Sequence, residues 1–259
     1  MKFRSNNFNS KILIFALVLA HTFTITGCTT LKGPENPNDP YESFNRSVYS
    51  FNEKFDEYAY QPVAKAYKFI TPDFVDTGIT NFFSNIDDVL VVFNDVFQFK
   101  IVQAASDLSR FIINSTIGIF GFFDVATQIG LEKHNEDFGQ TLGTWGVDSG
   151  PYLVIPFLGP SSVRDGIGLV ADTSYLDPLN SQLEGNEQLA VYGIKYIDKR
   201  ADLLKISNLL NEVAPDPYAF LRDSWTQQRT HLIYDGNPPV TKAEELFEDD
   251  LFKDDIIRK

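Results

Sequence analysis

Aromatic and aliphatic side chains return every three or four residues through much of this chain, and that period belongs to helices. Tyr41, Phe44, Val48, Phe51, Phe55 and Tyr58 form one stripe, with Asn45, Arg46, Glu53, Lys54 and Glu57 between them. Ahead of it, Asp39-Pro40-Tyr41 supplies a capping aspartate and a proline suited to the first helical position. Thr71-Pro72 opens a second region carrying Val75, Ile79, Phe82, Ile86, Val89, Phe93 and Phe97, and Ile101, Ala105, Leu108 and Ile112 continue the period in a third. Leu189, Tyr192, Tyr196, Leu203 and Leu210 mark a long helix ending before Pro215. Asp216-Pro217-Tyr218 repeats the capping device, and Leu221, Trp225 and Leu232 make the last clear apolar face. No two alternating runs are joined by a hairpin turn, so the predicted class is all-α.

The interruptions matter as much as the period. Gly118-Ile119-Phe120-Gly121-Phe122-Phe123 breaks the third region into a loop or helix pair lined by Phe, since each glycine costs about 1 kcal/mol inside a helix. Between Gly139 and Gly168 glycines and prolines are frequent, which predicts loops and short helices. The match Gly166-Ile167-Gly168-Leu169-Val170-Ala171 to a dinucleotide-binding pattern follows no predicted strand and reads as close helix packing. The uncharged stretches 111–123 and 149–163 fall short of the ~20 apolar residues that cross a bilayer as a helix. Phe occurs 23 times, as often as Leu, which fits either a Phe-rich core or aromatic surface facing acyl chains.

The ends of the chain carry a different message. Residues 1–27 hold Lys2, Arg4 and Lys11 with no acid, then an apolar run from Ile12 to Ala20 that continues to Ile25, the layout of an export leader. Ile25-Thr26-Gly27-Cys28 puts small residues before the only cysteine and resembles a lipobox, where bacteria attach diacylglycerol to the thiol and cut before it. A lone unmodified thiol in an oxidising compartment would be an unpaired liability, so lipidation of Cys28 accounts for it. Thr29, not being Asp, implies sorting to the outer membrane. Residues 28–38 read as a tether, 39–234 as one helical domain and 235–259 as an acidic tail. Without the leader's three basic residues the net charge is about −16, which makes nucleic acid an improbable partner.

Several chemistries lack their residues. After the leader only His134 and His231 remain as histidines, neither in a zinc-binding spacing, and no nucleophile-elbow, Walker or EF-hand pattern occurs. We therefore expect no catalytic residue, no metal and no cofactor.

The motifs that do occur resemble one family. Asp39-Pro40-Tyr41-Glu42-Ser43-Phe44-Asn45-Arg46, continuing to Tyr49-Ser50-Phe51-Asn52, is similar to the opening of the MlaA (VacJ) outer-membrane lipoproteins. Arg110-Phe111 through Asn114-Ser115 to Thr127 follows in order, then Asp137-Phe138-Gly139-Gln140-Thr141-Leu142-Gly143 and Gly150-Pro151-Tyr152 through Arg164-Asp165. Asp177-Pro178, Arg200-Ala201-Asp202-Leu203-Leu204, Asp216-Pro217-Tyr218 and Gln228-Arg229 complete a likeness over roughly residues 39–230.

The resemblance implies a ring of amphipathic helices in the outer membrane around a central amphipathic channel, lipid-anchored and facing the periplasm. It implies removal of phospholipid from the outer leaflet to a soluble periplasmic carrier, beside trimeric porins. Energetics asks for such a device: exposing about thirty methylenes to water costs about 25 kcal/mol, so the tails must stay covered while the headgroup keeps a wet path. Candidate lipid-path or membrane-contact residues are Phe51, Asn52, Phe120, Phe122, Phe123, Trp145, Tyr152 and Phe157. Arg164 is the headgroup candidate, and Gly143 and Gly146 are the hinge candidates. The alternatives are a structural lipoprotein that scaffolds porins, or a lipid hydrolase.

Overall fold

The computed structural model describes residues 39–204, 207 and 214–239. The leader, Cys28, the tether, Leu210 of the predicted long helix and the acidic segment beyond Pro239 lie outside the described residues. The rest is mainly helix. Helix α1 is Glu42–Phe55, and after a π-helical turn at Asp56–Tyr60 the chain runs on as α2, Gln61–Ile70. Pro72 precedes α3, Asp73–Phe97, which turns back into α4, Ile101–Thr116. Short α5, Val125–Gln128, leads to α6, Phe138–Thr144. Two strands follow, β1 at Tyr152–Ile155 and β2 at Gly159–Ser162, then α7, Val163–Ala171, and α8, Pro178–Gln182. Helices α9, Asn186–Asp202, and α10, Pro217–Ile233, complete the described fold. Among the described residues no helix is long and apolar enough to cross a membrane.

The predicted helices begin where their stripes placed them, although α9 ends at Asp202, short of Leu203; in α1, α3 and α4 the stripes point the opposite way from those of a water-soluble protein. In α4 the apolar set Ile101, Ala105, Leu108 and Ile112 is exposed, while Ala104, Asp107, Arg110 and Asn114 are buried. Helix α1 buries Asn45 and exposes Phe44 and Phe51. Helix α3 buries Asp76, Asn85, Asp88, Asn94 and Asp95 beside Phe83 and Val91, and exposes Phe74, Phe82, Phe93 and Val96. Across the described residues, more than twice as many polar or charged side chains as apolar ones are buried. Such an interior is stable only if its polar groups find partners. Asn94 shows how: its amide donates to Leu90 O and to Asp172 Oδ1 at 3.2 Å, and its oxygen accepts from Thr141 Oγ1 at 2.8 Å.

The small apolar core sits where α1, the strands and α10 meet, around Tyr152, Val154 and Tyr218 with Val48, Tyr49 and Trp225 against them. Here a hairpin stands where no strand was expected: β1 and β2 pair antiparallel, Tyr152 opposite Ser162 and Ile155 opposite Gly159. Its strands have four residues each, and Gly-Pro-Ser-Ser carries no alternation, so the period could not reveal it. What holds it is α1. Asn45 donates to Tyr152 O at 3.0 Å and accepts from Val154 N at 2.9 Å; Asn52 donates to Ile155 O at 3.0 Å and accepts from Phe157 N at 2.8 Å. Seven helical residues rise about 10.5 Å and three strand residues about 10 Å, so two asparagines on one helix face match the strand's backbone.

The two Asp-Pro-Tyr segments differ in role. Asp216 caps α10, accepting from Ala219 N at 3.2 Å. Asp39 does not cap α1, which begins at Glu42. Its buried carboxylate instead accepts from Asn45 at 2.9 Å, from the Tyr218 hydroxyl at 2.5 Å and from Arg222 at 3.3 Å, tying the start of the helical body to α10.

Candidate lipid-facing site

Polar side chains of α4 organise the Phe-rich loop that follows it. Arg110, buried, donates to Thr127 Oγ1 at 3.0 Å, to Asp124 Oδ2 at 3.2 Å and to Leu131 O. Asn114 donates to Asp124 Oδ1 at 3.0 Å and accepts from Ala126 N at 2.9 Å. With its turns pinned from inside, the loop presents Ile119, Phe120 and Phe123 outward, Phe120 being 75% exposed. Phe122 differs from its neighbours. Its ring lies over Gly78 of α3, where a Cβ would sit 2.1 Å from Cε2, so it fills the interior face of the loop.

Backbone strain falls at the same exposed places. Phe99, Ile119, Phe120 and Phe157 have φ of 62°, 53°, 56° and 66°. L-residues rarely adopt that region, least of all a β-branched one, and each instance costs on the order of 1–3 kcal/mol. In water nothing would repay holding an apolar side chain out on a strained tip. Burial of each side chain in hydrocarbon would offset that cost, at about 1.5–3 kcal/mol.

The other candidates divide between surface and interior. Phe51 and Phe157 meet edge to face at 5.2 Å, with Phe55 4.9 Å from Phe157, forming a half-open aromatic cluster whose position Asn52 sets through the hairpin tip. Trp145, half exposed at the end of α6, donates from Nε1 to Phe97 O at 3.0 Å and packs edge-on against Phe138. Tyr152 is 4% exposed within the small core, so its expected place on the membrane-facing surface is corrected. Gly146 has a left-handed φ of 85° with open space where a Cβ would stand. Gly143 lies inside α6, not in a loop, and a Cβ there would come within 3.1 Å of Arg164 and 3.0 Å of Ile233. It is a close-packing position.

Gly143, Gly146 and Arg164 nevertheless line one cavity of about 310 Å³, together with Asp148, Trp225 and Arg229. Both arginines are buried and already paired. Arg164 Nε donates to Asp165 Oδ1 at 3.2 Å and Nη1 to Val147 O at 3.3 Å. Arg229 donates to both oxygens of Asp137 at 2.5 Å and to Asp165 Oδ1 at 2.8 Å. Burial alone would raise the Asp137 carboxyl, but the Arg229 fork holds it below its ordinary value. A lipid phosphate would have to compete with Asp165 for Arg164.

The inward Asp and Asn side chains of α3 do not stand out in the sequence beside its apolar stripe. Their signal was compositional. Helix α3 holds five Asp and three Asn with no Lys, Arg or Glu, whereas a solvated helix face normally carries long charged side chains. Short polar residues on the face opposite an apolar stripe mark a face turned inward.

Residues 37–232 match the family model described as MlaA lipoprotein. The chain belongs to that family. Among curated MlaA relatives, the intermembrane phospholipid transport system lipoprotein of Escherichia coli K12 is 31% identical over 247 residues, covering 93% of this chain and 97% of that protein. Its Haemophilus influenzae counterpart is 30% identical over 252 residues, covering 95% and 98%. An uncharacterised Rickettsia felis protein is 37% identical over 191 residues, 74% of this chain and 76% of its own length. A solved structure described as the structural basis for maintenance of bacterial outer membrane lipid asymmetry superimposes with a TM-score of 0.66 at 32% identity, covering 75% of this chain and 98% of that one. The family match and the structural likeness cover the same helical body.

Proposed function

We propose that this MlaA-family protein takes phospholipid out of the outer leaflet of the outer membrane and passes it along a polar-lined path to a soluble periplasmic carrier. In this reading it is anchored through Cys28, faces the periplasm and sits beside a trimeric porin. The observation that carries the reading is the reversed burial: short polar side chains turned inward and large apolar ones turned out on the same helices. A body of that kind is solvated correctly by lipid. Acyl tails can then stay against Phe and Ile outside while a headgroup meets Asn, Asp, Arg and Thr within. The names of the relatives and of the solved structure support the same assignment.

The test is reconstitution of the full lipoprotein with labelled phospholipid and a periplasmic lipid carrier, without nucleotide. Labelled lipid should appear on the carrier, and Phe120→Asp should reduce the amount several-fold while export and folding persist. Porin binding without transfer would leave only the scaffolding reading. Release of free fatty acid would point to hydrolysis.

A further inference from the structure

Beside an open cleft of about 610 Å³, lined in part by Phe99, Lys100, Gln103 and His134, two aspartates from facing helices meet away from water. Asp95 on α3 and Asp107 on α4 are both wholly buried. Residues of the cleft hold one oxygen of each: Gln103 donates to Asp95 Oδ1 at 2.8 Å, and His134 Nδ1 lies 2.9 Å from Asp107 Oδ2. The remaining oxygens, Asp95 Oδ2 and Asp107 Oδ1, have no hydrogen-bond partner among the described residues, and the two carboxyl groups are within hydrogen-bonding reach of one another. Two ionised carboxylates are acceptors only, so they cannot satisfy each other; one proton between them turns repulsion into a hydrogen bond.

Of the charged neighbours only His134, when its ring is protonated, offers the pair an opposite charge, on the Asp107 side. Glu136, from the segment before α6, adds negative charge, and it already engages Lys100 at 2.9 Å. Lys133 is taken by Asp88, and Arg110 by Asp124.

We propose that Asp95 and Asp107 share a single proton and form a pH-dependent latch, tying α3 to α4 when protonated and forcing them apart beside the cleft when the proton leaves. Burial, then the neighbouring Asp107 and Glu136, push the Asp95 carboxyl up to about 8, against the opposing Gln103 hydrogen bond. Because this value is raised above the unfolded one, the stability owed to the proton is complete at acid pH and is lost as pH rises through about 8. Asp172, raised to about 6 chiefly by burial, titrates below that window.

The experiment uses the full lipoprotein in detergent, with thermal melts and amide hydrogen exchange followed from about pH 6.5 to about pH 9.5. The wild type should lose several degrees in Tm, and exchange in α3 and α4, corrected for its intrinsic pH dependence, should rise about tenfold. Asp95→Asn keeps an N–H toward Asp107 at every pH and should show neither change. A flat wild type, or an Asp95→Asn protein that retains the full slope, overturns the latch. If Asp95→Asn does not fold, infrared spectra of the Asp172→Asn protein decide. A protonated-carboxyl C=O band at the lower pH that vanishes at the higher one supports the shared proton, and its absence at the lower pH refutes it.

Discussion

Arg229 shows what a buried charge requires in this protein. It lies between Asp137 and Asp165, and its fork supplies the positive charge that holds the Asp137 carboxyl below its ordinary value beside the cavity of Arg164. Arg229→Ala should destabilise the protein by about 3 kcal/mol, at the low end for a broken buried pair because Asp137 keeps some contact with water. Urea unfolding in detergent measures this, and a loss below about 0.5 kcal/mol would mean the pair is mere surface decoration. Asp216 is a contrasting case: half-exposed, yet its carboxyl is held down to about 2, first by the Arg46 hydrogen bond. Loss of that contact should tell little on stability, since solvent screens it.

Between elements, two contacts were readable to different degrees. The Gly166–Ala171 pattern read as close helix packing, and Gly168 is where α7 meets α6: a Cβ there would lie 2.3 Å from Gly139 N and 2.7 Å from its Cα. Gly168→Ala should therefore cost about 1–3 kcal/mol, because backbone cannot yield cheaply. At Gly166 the nearest atoms are 3.9 Å away, so Gly166→Ala should be neutral or stabilising by up to about 1 kcal/mol. Equal effects at the two positions would contradict the contact. The docking of the hairpin on α1 was not readable, since neither Asn45 nor Asn52, a lipid-path candidate by its motif, shows that it will hold a strand until β1 lies across it. Asn52→Ala removes two hydrogen bonds to the hairpin tip, about 2 kcal/mol together, and should speed exchange of the Phe157 amide about thirty-fold. Unchanged exchange there would show that the tip is held by its aromatic contacts alone.

For the molecule as a whole, the inverted interior predicts a reversed response to mutation. Val102 is 87% exposed, so Val102→Lys should change folding stability by less than about 0.5 kcal/mol while weakening liposome association by about 2 kcal/mol in a flotation assay. Asn94→Leu, an apolar gain in an ordinary core, should instead cost about 1–3 kcal/mol because Thr141 and Asp172 lose their partner. If the buried Leu stabilised the protein and the exposed Lys unfolded it, the inward-polar arrangement would be wrong. The sequence by itself determined where the helices run and which two faces each one has, because side chains three and four residues apart must share a face. Which face turns inward is not contained in that period, since a stripe is equally periodic seen from either side. Only the tertiary structure decided it, by giving the inward Asn, Asp and Arg side chains hydrogen-bond partners in place of water and leaving Phe and Ile side chains exposed on the outside.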